Sequence, residues 1–496
     1  MEEVSKESQK EFKDIFKISA SYGILQVFQI FINLVKAKLI ALFLGPIGVG
    51  LSSLFQSGTG LIATIVNNGL TTTAVKELSG LDSIEKRNEE GIRISAFKRL
   101  LWVTGILGTI VTLLFSRSLS RLSFDSDNYV YSFQILSCSI LINQVSLGYG
   151  VLLRSRRKTN KIIKSTLISS GLSLVITMPI LAVFKTSAIA PSIVITSLIN
   201  LLVLKFFNKD ELYNRVNISF VEAFKVGKVM MKSGFFVSLS SLFTSLVTYI
   251  FITFLSRSSS SSIVGLYSAG FAILNTYVGL VFNAMAQDFY PRLSEKVNNK
   301  DEINSLIGSQ IEISILLVSP LLVGIVLYNE FVIRLLFTRD FLPMSTMIVF
   351  ASLGIYFKVF AWVAGFLIMA SGRFKIYLYL EIMVLAVSLI LNFVFFINYG
   401  LSGLGISSSI TVLLAALVYV RVARIKLNIQ TIVLVTFNFL FISGSILLIL
   451  LTADVRSNFF VLLKILYFAF GLVLNFRILN RKLGNSLLNF LKKVVV

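Results

Sequence analysis

The sequence has no histidine and only one cysteine, Cys138. Without histidine there is no Ser-His-Asp triad, no imidazole metal site and no histidine acid or base. A lone cysteine inside an apolar run excludes a disulfide framework and a cysteine-based metal site. No segment carries the G-x-x-x-x-G-K-[ST] phosphate cradle, so ATP hydrolysis in that standard form is also excluded. Acidic residues are scarce, 24 against 46 basic ones. Most of them stand beside lysines and arginines between the apolar runs, as a solvated fringe. Charge of either sign makes up only 14% of the chain.

What the chain has instead is apolar length. Of its 496 residues, 55% are hydrophobic, and the mean hydropathy of +0.85 is far above that of a soluble globular protein. Runs of about 20 apolar residues recur to the end, each long enough for a helix to cross a hydrocarbon core about 30 Å thick. Fourteen are expected, at 19–42, 49–73, 98–116, 129–152, 162–184, 187–207, 233–255, 262–286, 309–331, 344–370, 375–398, 403–422, 431–452 and 459–478. The opening segment "MEEVSKESQKEFKDIFKISA" mixes both signs of charge and has no small-residue cleavage site after a short apolar core, so it does not read as a cleaved signal peptide.

Basic residues set the orientation. With the N-terminus cytoplasmic, 35 of the 46 basic residues fall in cytoplasmic segments, seven in the outer loops and four inside spans. Both termini are therefore expected in the cytoplasm. The net charge of +22 is accounted for by this bias and by contact with anionic lipid, without a nucleic-acid partner.

Internal similarity suggests two halves. "PIGVGLSSLF" (46–55) opens the second span and "SSIVGLYSAG" (261–270) the eighth, each with a Gly-Leu step. "AVKELSG" (74–80) answers "YPRLSEK" (290–296), and "RSRRKTNKIIKSTLISSGLSLVI" (154–176) answers "SGRFKIYLYLEIMVLAVSLIL" (371–391). Each offset is six spans, an even number, so the halves enter the membrane in the same direction, related by an axis near the membrane normal. The expected organisation is a six-helix lobe over 1–208, a cytoplasmic linker over 209–232, a second six-helix lobe over 233–425, and two further helices with a basic tail over 426–496.

Two stretches resemble a known family. "AKLIALFLGPIGVG" (37–50) is similar to the Leu-Gly-Pro turn after the first span, and "VGLYSAGFAILNTYVGLVFNAMAQDFYPRLSE" (264–295) to the eighth span, of the polysaccharide flippases. These translocate O-antigen units and related lipid-linked oligosaccharides, within the multidrug/oligosaccharidyl-lipid/polysaccharide exporter superfamily. "VKAKLIALFLGP" (35–46) and "YFKVFAWVAGFLIMASGRFKIYLYLE" (356–381) most resemble the enterobacterial common antigen branch. The resemblance covers roughly residues 15–425. It implies an all-α protein of the MATE type, with two six-helix lobes around a cavity that opens alternately to each face, in a bacterial inner membrane. The implied substrate is a short oligosaccharide joined through pyrophosphate to a polyprenol, handled alongside glycosyltransferases and a polymerase. The last two helices depart from the many members that stop at twelve.

Four lysines lie within spans. A cation at bilayer depth costs at least about 2.5–3.5 kcal/mol on insertion scales, so it usually faces a cavity or a partner. Lys464 is close enough to a span end to snorkel. Lys36 and Lys38 are two residues apart, roughly 200° around a helix, so both cannot point fully into one cavity. Lys358 is near the middle of its span. Lys38 and Lys358 match lysines of the first and tenth family helices, and with Lys36 they are candidates to hold the pyrophosphate as point charges. Arg292 is a candidate to receive it at the cytoplasmic mouth.

Weaker sugar contacts are expected from Asn33, Asn275, Asn283 and Gln287. Of the carboxylates, Glu330 can pair with Arg334, and Glu381 either pairs with Arg373 or Lys375 or takes up H+ or Na+ to couple export to an ion gradient. No other cofactor is expected. Two other functions compete: a cation or drug antiporter of the same superfamily, which calls for acids deep in its cavity, and a membrane glycosyltransferase or polymerase, which calls for a large outer loop.

Overall fold

The computed structural model describes residues 2–67, 69–79, 87–156, 158–209, 216, 218–297, 299–425, 429–452 and 458–482. Residues 210–215 and 217 of the expected linker, and the tail beyond Lys482, lie outside these. Among the described residues the regular structure is helical, without a strand. Two compact units divide the chain, one of Met1–Gly265 with Leu336–Thr338, the other of Leu266–Leu335 with Arg339–Val496.

The first unit contains α1 (Glu2–Asn67), α2 (Leu70–Leu78), α3 (Arg87–Leu114), α4 (Ser116–Phe124), α5 (Val130–Ser155), α6 (Thr159–Phe184), α7 (Ile189–Phe207) and α8 (Phe220–Ser258), and receives the first residues of α9 (Ser261–Glu295). The second holds the rest of α9 with α10 (Lys300–Leu327), α11 (Asn329–Leu336, except its last residue), α12 (Ser345–Ala370), α13 (Phe374–Ala423), α14 (Ile429–Leu451) and α15 (Asn458–Lys482).

Three of these runs are too long to be single spans. α13 has 50 residues, roughly 75 Å of helix at 1.5 Å per residue, more than twice the hydrocarbon core. It breaks at Gly400, whose φ of 58° lies in the left-handed region that glycine enters at no steric cost. α1 breaks in the same way at Gly45, with φ 60°, and Pro46 then starts the next helix where its missing N–H costs nothing. α6 and α7 are separated by a 3-10 turn over Lys185–Ala188. Among the described residues, eleven helical runs long and apolar enough to cross a membrane, counting α9 with its bend as one and α6 with α7 as one, become fourteen segments when these three are divided. The chain is a multi-pass membrane protein.

Some boundaries differ from the sequence reading. The second span, expected over 49–73, stops at Asn67, and after Gly69 (φ 71°) the helix resumes as the short α2. Part of the segment read as linker is already helix. Ser219 caps α8 by accepting a hydrogen bond from the Glu222 amide at 3.1 Å, so the helix begins at Phe220.

The core of the first unit gathers Leu51, Phe55 and Ile62 of α1 with Phe133, Leu136 and Ile140 of α5 and Leu181 of α6. Phe55 meets Phe133 edge to face at 5.4 Å. At one end, Arg156 closes on Glu90 at 2.5 Å with both side chains largely buried, and Arg93 bridges Glu77 and Glu89. Away from it, Asp127 receives both Arg117 and Arg121 beside the amphipathic α4. Those two guanidiniums hold its carboxyl at about 2. In the second unit α14 and α15 both pack on α10. Thr431 of α14 donates to Glu312 of α10 at 2.7 Å, with both residues buried.

Candidate functional site

A cavity of about 430 Å³ lies inside the first unit. It is walled by helix faces that show the same spacing. Lys36, Ile40 and Leu44 come from the first segment of α1, at successive four-residue steps, and Ser52 and Gln56 from the second segment. α5 gives Ser139 and Asn143, α6 gives Thr177 and Leu181, and α7 gives Ser192 and Thr196, each pair again four apart. Residues four apart on a helix stack on one face, so each helix turns one face into the cavity, with at least one polar residue on it. Ile140, Leu181 and Ile189 belong to both the cavity wall and the core, which fixes the wall in place.

Among the described residues of the wall Lys36 is the only ionisable one, and its half-buried ammonium has no hydrogen-bond or ion-pair partner among them. Several hydroxyls bond back to their own helix, Thr59 to the Phe55 carbonyl at 2.7 Å and Thr177 to that of Ser173 at 2.6 Å. Others do not. Ser192 is 5% exposed and its hydroxyl has no partner, a state that costs about 1–3 kcal/mol unless a ligand or water relieves it. Among the described residues Asn143 and Thr196 are likewise unpartnered. A lone cation among neutral donors and acceptors is suited to an anion with polar attachments and poorly suited to an organic cation.

A second cavity of about 240 Å³ adjoins the first, sharing Ala63, Ile140 and Asn143 with it. Its polar groups are already tied together: Gln144 donates to Asn67 at 3.2 Å and to Thr104 at 3.0 Å, and Asn67 donates to Thr71 at 3.0 Å. Both cavities belong to the first unit alone.

The other sequence candidates sit elsewhere. Lys38 is half-buried and donates to the backbone carbonyl of Phe337, so the neighbouring lysines part as their helical angle requires. Lys358 lies at the middle of α12 in the second unit, half-buried, with no partner among the described residues. Arg292 is exposed near the end of α9 and pairs with Asp288 at 2.9 Å. Glu381 is half-buried on α13 and makes no ion pair with Arg373 or Lys375. It accepts hydrogen bonds from Tyr419, at 3.4 Å, and from Tyr377. Glu330 pairs with Arg334 at 3.2 Å. Lys464 is half-buried on α15. Asn33, Asn275 and Asn283 are exposed, and the side chain of Gln287 lies outside the described residues. Among the described residues no group of three or more carboxylate or cysteine side chains could hold a metal.

Sequence reasoning missed Asn143, Ser192 and Thr196. The signal for them was present as polar pairs four apart in apolar helices, Ser139 with Asn143 and Ser192 with Thr196. It also missed Glu312, an acid near the end of its span.

The profile of the family described as "Polysaccharide biosynthesis protein" matches residues 84–346. No curated protein matches the sequence. Among solved structures, the lipid II flippase MurJ in an inward closed conformation is similar with a TM-score of 0.70 at 16% identity, over 94% of this chain and 99% of that one. An inward-facing multidrug resistance MATE family transporter of the MOP superfamily gives 0.68 at 17% identity, over 82% and 95%. An outward-facing one gives 0.59 at 17% identity, over 85% and 96%. A match over 94% of the chain cannot leave out both α14 and α15, so the MurJ fold accommodates at least part of the C-terminal pair.

Proposed function

The chain belongs to the polysaccharide biosynthesis protein family, and from that membership we propose that it is a flippase for a polyprenyl-pyrophosphate-linked oligosaccharide. It moves an O-antigen or capsule-type unit from the cytoplasmic to the outer leaflet of a bacterial inner membrane by alternating access, with both termini cytoplasmic. The observation that carries this reading is the cavity of the first unit, where the ammonium of Lys36 is the only charge, and has no partner, among the described residues. A pyrophosphate cannot enter hydrocarbon bare, and a desolvated ammonium among neutral amides and hydroxyls supplies its counter-charge. Lys38 and Lys358 are proposed to add positive potential along the route, and Arg292 to meet the headgroup at entry. Glu381, held by two phenols, is the proposed coupling site for H+ or Na+. The prenyl tail stays in lipid. Glycosyltransferases and a polymerase are the expected functional neighbours.

The absence of carboxylates among the described residues of the cavity wall speaks against a cation antiporter. The test is translocation by the purified protein in liposomes containing a fluorescent polyprenyl-pyrophosphate sugar, read by protection from a membrane-impermeant quencher. Wild type should exchange the lipid between leaflets, and Lys36→Ala should not. If wild type moves ethidium but not the glycolipid, the antiporter reading replaces this one.

A further inference from the structure

We infer that the first unit reads the glycan itself, with Asn143 as the specificity-determining residue at the neck between two sugar compartments. The inference rests on the flippase reading above and adds which part of the cargo is recognised, and where. Of the three described residues shared by the 430 Å³ and 240 Å³ cavities, Ala63 and Ile140 are apolar and Asn143 is polar. Its amide is unpartnered among the described residues, so both its donor and its acceptor are available at the junction.

The two compartments differ in a way that suits a chain of neutral sugars. The larger holds Lys36, for the phosphate end, and the unpartnered hydroxyls of Ser192 and Thr196. Ile40, Leu44, Ile189 and Ile193 line it too, offering an apolar surface for the C–H face of a sugar ring. Among the described residues the smaller has no charge in its wall, and its amides are locked to one another through Gln144, Asn67 and Thr104. Such a wall is preorganised and needs little rearrangement to meet a hydroxyl-rich ligand. A sugar hydroxyl both donates and accepts, as an amide does, and among the described residues of the two walls no carboxylate favours a cationic amino sugar. The first sugar is therefore assigned to the larger compartment and the second to the smaller, with the link between them at Asn143. A glycan of one sugar does not need the neck; a longer one does.

The experiment compares two probes in the same liposome assay: polyprenyl pyrophosphate bearing one N-acetylhexosamine, and the same lipid bearing a neutral disaccharide. Asn143→Leu removes the amide and fills the neck with an apolar side chain. It should slow the two-sugar lipid at least about tenfold more than it slows the one-sugar lipid. Asn143→Ala removes only the hydrogen bonds and should slow the two-sugar lipid by about three- to tenfold, the range of one or two lost hydrogen bonds. It also keeps the test decisive if the leucine variant does not fold. Lys36→Ala should slow both lipids alike. Equal effects of either Asn143 variant on both lipids, or no effect on either, would overturn the inference and leave the flippase reading standing. Failure of wild type to move either lipid would instead remove the reading on which the inference rests.

Discussion

Gly50 and Gly265 face each other with no room for a side chain on either. A Cβ on Gly50 would lie 1.7 Å from the Ser261 carbonyl oxygen, and one on Gly265 would lie 1.9 Å from that of Pro46. Each would be 3.0 Å from the other glycine's amide nitrogen. The contact is reciprocal: each glycine meets the carbonyl four residues before the other. These are the glycines of the two Gly-Leu steps, Gly50-Leu51 and Gly265-Leu266, that the sequence shows at 46–55 and 261–270. Such close approach is how helices associate where lipid removes the hydrophobic drive.

Gly50→Ala and Gly265→Ala should therefore each destabilise the protein by at least about 1–3 kcal/mol, the usual cost of overpacking. Thermal unfolding in detergent checks this. Variants as stable as wild type would mean that the backbones can part at no cost.

The in-span lysines should respond differently from one another. Lys36→Ala should insert and fold normally, because it removes a charge that has no partner among the described residues, yet lose translocation by an order of magnitude or more. Lys36→Arg should keep part of the activity and Lys36→Glu none. Lys464→Ala should be silent in the same assay. Comparable losses from Lys464→Ala and Lys36→Ala would point to general membrane electrostatics rather than a binding site.

Glu312 and Thr431 should be energetically coupled. Hydrogen bonds between helices in membranes average about 0.6 kcal/mol in double-mutant cycles, with a maximum near about 1.7 kcal/mol. The cycle Glu312→Leu, Thr431→Val and the double variant, read by thermal unfolding, should give a value in that range. A coupling of zero would show that apolar contact alone attaches α14 to α10.

Asp127 sets an acid limit. Its carboxyl is held at about 2 against an ordinary value of 3.8, chiefly by hydrogen bonds from Arg121 and then Arg117. A lowered carboxyl stabilises the fold fully above its unfolded value and loses that contribution as pH falls towards its folded one. The stability gap between wild type and Asp127→Asn should therefore stay constant from pH 7 to about 5 and narrow between about 4 and 2. A gap that narrows near pH 6 would implicate a different group.

The helical segments were legible because spanning a membrane demands a length and composition that few other structures share. The break at Gly45 was legible too, from its Gly-Pro step. The cavity was not. Ser, Thr and Asn can bond their own helix or a neighbour, so Thr59 and Ser192 look alike in sequence although one is satisfied and the other is not. Whether Lys36 or Lys38 enters the cavity depends on the rotation of one helix about its axis, which packing against the other helices decides. Glu381 pointed to its own basic neighbours at Arg373 and Lys375. Its actual partners come from one turn before it, Tyr377, and from the far half of α13, Tyr419, which only the fold brings near.

The single-residue breaks at Gly45 and Gly400 bear on how the chain is made. At each, one apolar segment ends and the next begins with almost no chain between them, so there is no loop to be threaded through the translocon separately from its flanking helices. Each pair of segments has to enter the bilayer together, as a hairpin. Newly made chains cut off just after the first segment of either pair should therefore insert poorly, and insertion should recover once the second segment has left the ribosome.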